Sequence, residues 1–103
     1  MPRRLGYTNR ALADLDAVRR WLAQPGARAA AQSKLAAIRA GIRRLKQHPC
    51  QWPIGPDPGA REMPCAGGYL VVYEVDPDTG SNATAGDVRV LRVYGPGQDR
   101  TSA

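Results

Sequence analysis

YLVVYEV, residues 69–75, and the later VRVLRVYGPGQDR, residues 88–100, decide how this chain is read. The first run is apolar on both faces and rich in Val and Tyr, which predicts a buried strand. The second opens as a strand and is stopped by Gly95-Pro96-Gly97, because proline lacks the N–H that a ladder needs. Between them lies DPDTGSNATAG, residues 76–86, a polar hairpin loop expected to be mobile. By simple alternation Val88, Val90, Arg92 and Tyr94 share one face of the last strand. A charge in a central strand is expected on the uncovered side of its sheet, so Arg92 reads as an open-face group.

Working upstream, AREMPC (residues 60–65) predicts a short strand that Ala66-Gly67-Gly68 turns into the strong one. Residues 49–64 hold five prolines and two glycines, an irregular crossing anchored by the Trp52 ring. Before it, Ala31, Leu35, Ile38, Ile42 and Leu45 fall within about 80° of arc at helical spacing. They predict a helix over 27–48, ended by Pro49, with His48 interacting with its last carbonyls. Arg39, Arg43 and Lys46 occupy one flank of that stripe and Lys34 the other.

Leu12, Leu15, Val18 and Leu22 predict an earlier helix, with Thr8 or Asn9 as N-cap. Asp14 and Asp16 sit toward its start, Arg19 and Arg20 toward its end, and Pro25-Gly26 opens a tight connection. Residues 3–7 predict a first short strand. The order is β-α-α-β-β-β. It is an α+β fold, with a helical hairpin on a small antiparallel sheet, since strands joined by short turns run antiparallel. Trp21, like Tyr73, is assigned to the core.

The 103 residues read as one domain: strand plus hairpin (1–48), crossing and short strand (49–65), and strands with a C-terminal contact segment (69–100). No stretch approaches the roughly 18 apolar residues of a membrane span, and no secretory leader is visible, so a soluble cytoplasmic protein is expected. Cys50, Cys65 and His48 lack metal-ligand spacing. Free thiols, no metal and no cofactor are expected. Residues 1–48 carry eleven Lys and Arg against Asp14 and Asp16, a net of +9, whereas residues 49–103 carry −3. A basic half either prefers an acidic partner or merely keeps a helical surface soluble.

Taken together, Ala11-x-x-Asp14-Leu15, Leu45 with Pro49, Arg61, Tyr69-x-x-x-Tyr73 and the final VLRVYGPGQDR resemble the RelE/ParE superfamily of toxins from bacterial toxin–antitoxin pairs. RelE-like members cut ribosome-bound messenger RNA, which needs a base, an acid and cations around the phosphate. Leu70, Met63 and Pro96 stand where that branch carries basic groups. The resemblance therefore favours the ParE branch, whose members poison DNA gyrase by binding and have no catalytic residues of their own. A RelE-like nuclease and a non-toxic antitoxin-binding relative are the alternatives.

The same resemblance implies a target-binding set of Arg61, Arg92, Tyr94, Gln98 and Arg100. Two uses of Arg61 stay open: a target contact, or an ion pair with Glu62, Glu74 or the antitoxin. It further implies a ParD-like antitoxin whose C-terminal segment orders on binding, in a toxin–antitoxin hetero-oligomer. That segment would lie near Leu15, Arg19, Leu22, Ala31 and Leu35, with Arg39 and Arg43 attracting its acidic groups.

Overall fold

The computed structural model describes residues 3–22, 24 and 28–96. The elements are β1 (Leu5–Tyr7), α1 (Asn9–Leu22), α2 (Arg28–Arg44), β2 (Ala60–Cys65), a 3-10 turn (Ala66–Gly68), β3 (Tyr69–Asp76) and β4 (Asp87–Tyr94). The α+β class and the expected element order hold. The Pro25-Gly26 connection, Gln98, Asp99, Arg100 and the last three residues lie outside the described residues.

The sheet order is β1-β4-β3-β2. β2, β3 and β4 form an antiparallel meander, as their short connections dictate. β1 departs from the expectation of an all-antiparallel sheet, because it pairs in parallel with β4, Leu5 opposite Val88 and Tyr7 opposite Val90. The rule from short turns does not reach it. A helical hairpin separates β1 from the meander, and a parallel neighbour requires a long crossover of that kind.

Thr8 caps α1, its Oγ1 accepting from Ala11 N–H at 3.0 Å. Since α1 starts at Asn9, Asp14 and Asp16 fall beyond its first turn and do not serve its dipole. The periodic stripe of α2 is spent on the sheet: Ile38, Ile42 and Leu45 are buried against Met63, Tyr69, Val71 and Tyr73. Full burial of each aliphatic side chain contributes about 1.5–3 kcal/mol. α2 ends at Arg44, earlier than expected, and unwinds through a turn in which His48 N–H still reaches Arg44 O at 3.0 Å. Tyr73 is a core residue as expected, fully buried, and its hydroxyl donates to Pro49 O at 2.7 Å. Burial pushes that hydroxyl up to about 12. Trp52 packs against the core from the crossing segment. Trp21, expected inside, is 65% exposed: it lines an open groove with Asp14, Val18, Tyr69 and Val93 instead of closing into the core.

Alternation along β4 breaks once. Val72 faces Arg92 and Tyr73 faces Val90, so Leu91 is an extra residue in a β-bulge. Val88 and Val90 face the helices before the bulge and Val93 does so after it. Arg92 and Tyr94 therefore do not share a face with Val88 and Val90. Tyr94 instead packs with Val72, Ala60, Leu70 and Leu91 in a small second cluster on the other face.

The 76–86 loop, expected to be mobile, is tied to the body. Arg3 donates to Gly86 O at 2.8 Å, Ala85 O at 2.9 Å and Asn82 O at 2.8 Å, and also to Lys46 O. Asn82 Oδ1 accepts from Cys50 N–H at 2.7 Å. At Gly86 the backbone passes so close to Asp76 O that a Cβ would overlap it.

Candidate macromolecular interface

Part of the sequence-predicted set falls in two regions: Arg92 and Tyr94 at the end of β4, and Arg19, Arg39 and Arg43 on exposed faces of the helices. β1 stops at Tyr7, so among the described residues the second half of β4 has no strand beyond it. α1 fills that gap. Thr8 Oγ1 donates to Leu91 O at 2.9 Å, and Asp14 Oδ2 accepts from Val93 N–H at 2.9 Å. The same carboxylate oxygen holds Arg92 Nε at 2.8 Å. The Arg92 guanidinium lies 4.5 Å from the Tyr94 ring centroid and its Nη1 reaches the Tyr94 hydroxyl at 3.4 Å. A cation over a tyrosine face is attracted by the ring quadrupole. Arg92 and Tyr94 thus form one unit held by Asp14.

Arg61 is placed elsewhere. It is 8% exposed and turned toward the crossing segment and the 76–86 loop. Its Nε and Nη2 make a forked pair with Asp78 at 2.8 and 2.9 Å, and Nη1 donates to Trp52 O at 2.6 Å. The hydrogen bonds from Arg61 hold the Asp78 carboxyl below the ordinary carboxylate range. Asp78 was not among the ion-pair partners expected for Arg61, which were Glu62, Glu74 or a carboxylate of the antitoxin. Its signal in the sequence is the Asp78-Thr79-Gly80 turn, where Asp78 Oδ1 accepts from Gly80 N–H at 3.1 Å. Cys50 Sγ also lies 3.6 Å from Asp78 Oδ1, and burial, with Asp78 adding to it, pushes that thiol up. Both cysteines are free.

The third arginine of the sheet, Arg89, pairs with Glu74 at 2.5 Å. Each sheet arginine among the described residues is therefore held by a carboxylate: Arg61 by Asp78, Arg89 by Glu74, Arg92 by Asp14.

The second helix is the reverse, whereas on α1 Arg10, Arg19 and Arg20 pair with Asp14 and Asp16. Among the described residues, Lys34, Arg39, Arg43, Arg44 and Lys46 form no ion pair, since α2 carries no acid. Arg39 and Arg43 are exposed and line a depression of about 320 Å³ with Gln32, Leu35 and Ala36. The Tyr7 hydroxyl is pushed up by burial, while Arg39 and Arg43 pull it back, which places β1 beside this cationic flank. Arg19 is exposed and bonded to Asp16 at 2.8 Å. Leu15 and Leu35, predicted for a partner's groove, are partly buried and packed against the chain's own core. Leu22 and Ala31 lie on α1 and α2, their side chains outside the described set. Sequence reading missed Leu12, 51% exposed on α1, because its spacing matches the buried stripe.

No described helix is long and apolar enough to cross a membrane. Residues 5–95 match the family model described as the ParE toxin of type II toxin–antitoxin system, parDE. No curated protein sequence matched the chain. The fold is similar to a solved chain of the chromosomal ParDE toxin–antitoxin system from P. aeruginosa. The TM-score is 0.70 at 20% identity, over 91% of this chain and 96% of the other. With the family model spanning nearly all of the fold, from β1 to the residue after β4, the chain belongs to the ParE toxin family of type II toxin–antitoxin systems.

Proposed function

We propose that this chain arrests growth by binding DNA gyrase and stabilising the gyrase–DNA complex, and that a cognate ParD-like antitoxin silences it. The observation that carries a binding mode is the commitment of the sheet arginines. Cleaving RNA beside a 2′-hydroxyl requires cations free to meet the developing charge on phosphorus. Arg61, Arg89 and Arg92 are each neutralised by a carboxylate at 2.5–2.8 Å. Family membership supports the toxin role, and Lys34, Arg39, Arg43 and Arg44 of α2, which form no ion pair among the described residues, suit an antitoxin with an acidic segment. Arg39, Arg43 and Arg19, with Leu15, Leu22, Ala31 and Leu35, belong to the antitoxin side of this reading. Arg92 and Tyr94, continuing toward Gln98 and Arg100, belong to the target side.

The test is induction without antitoxin, followed by incubation of the purified chain with gyrase and supercoiled plasmid. Gyrase-linked cleaved DNA and filamented cells are the expected result. Cleavage of ribosome-bound messages with gyrase unaffected would replace this reading with a nuclease.

A further inference from the structure

We infer that Asp14 is a positioning residue for toxicity: its carboxylate anchors the end of β4 and so holds Arg92 over Tyr94. The inference rests on the toxin reading above and deepens its target side. Where β1 ends, the N–H groups of β4 on that edge need an acceptor, or the strand end frays. Asp14 supplies it from the neighbouring helix at 2.9 Å from Val93 N. Its side chain is only 12% exposed, so water competes poorly for the carboxylate. The bulge at Leu91 turns Arg92 so that its guanidinium reaches the same oxygen while lying over Tyr94.

A second contact holds this end. Pro96 passes over the Gly67-Gly68 turn, where φ is +78° and +83° and a Cβ at Gly68 would come within 3.3 Å of the proline ring. The strand end up to Pro96 is thus held on one side by a helix carboxylate and on the other by a side-chain-free turn. Asp14 touches no target in this arrangement. It acts through Val93 and Arg92.

The experiment compares wild type with Asp14→Ala and Asp14→Asn, with Glu74→Gln as a control carboxylate, on β3 beside Arg89 at the opposite end of β4. Three readouts are taken: inducer dose for growth arrest, antitoxin affinity, and amide hydrogen exchange at Val93. Alanine removes the acceptor, and exchange at Val93 should rise about tenfold, with a comparable rise in the arresting dose. Asparagine keeps an oxygen for Val93 N–H and should recover most of the arrest and the protection. Antitoxin affinity and the Glu74→Gln variant should stay within about twofold of wild type.

Unchanged exchange in Asp14→Ala would overturn the anchor itself. Arrest at the wild-type dose despite faster exchange would overturn the positioning role. Asparagine doing no better than alanine, or antitoxin affinity falling in step with toxicity, would do the same. Failure of the gyrase reading is seen separately, as wild-type arrest without trapped gyrase–DNA complexes, and leaves the Asp14 comparison readable on the arresting dose.

Discussion

Replacing Asp78 by Ala should destabilise the fold far more than its place in a polar surface loop suggests. Arg61 would lose both arms of its fork, at 2.8 and 2.9 Å, and keep its bonds to Trp52 O and Cys50 O. A buried cation stripped of its partner costs about 3–5 kcal/mol. The two side chains retain 10% and 20% exposure, so water can recover part of this, and about 2–4 kcal/mol is expected. That is a large share of the roughly 5–15 kcal/mol that holds a domain of this size together. The assay is urea denaturation followed by circular dichroism, where the midpoint should fall by roughly 1–3 M.

The double variant Arg61→Met with Asp78→Ala separates two causes. With no buried cation left, it should be no less stable than Asp78→Ala alone. If the penalty came from losing the loop anchor, the double variant would be worse than either single one. The pH dependence has a definite sign. The folded Asp78 carboxyl titrates below its unfolded range, so its contribution is complete above about pH 4 and is lost as pH falls through the lower folded value. Wild type and Asp78→Ala should therefore converge in acid. An Asp78→Ala variant within about 0.5 kcal/mol of wild type at pH 7 would refute the reasoning.

Alkali should act through Tyr73, whose hydroxyl titrates at about 12 instead of the ordinary 10. Stability from this group is intact below the unfolded value and drains away as pH rises through the folded one; Tyr73→Phe, followed by alkaline unfolding, should flatten that limb at a cost of about 1 kcal/mol at pH 7. Gly86→Ala should cost at least about 2 kcal/mol in thermal denaturation, because its Cβ would meet backbone, at Asp76 O, which no rotamer change can relieve. Arg39→Ala combined with Arg43→Ala should weaken antitoxin binding about five- to tenfold and flatten its salt dependence, read by calorimetry at two ionic strengths, with the melting temperature unchanged.

Much of this protein follows from local sequence physics. The valines and tyrosines of 69–75 make a strand in any compact setting, and β2 occupies the expected residues 60–65. The α2 stripe, a helix cap at Thr8 or Asn9 and the excess of positive charge in the first 48 residues were all legible, because each is local to a short stretch of chain. Pairings across long separations were decided only by the tertiary structure. The parallel seat of β1 depends on how the hairpin crosses over. The bulge at Leu91 arises from mismatch between two strands, and it reassigns the faces of Arg92 and Tyr94. Arg61 and Asp78 are 17 residues apart, Asp14 and Arg92 are 78 apart, and nothing in either neighbourhood announces the other. Burial and charge pairing are properties of meeting surfaces, so a chain can state which residues want a partner without stating which partner they find.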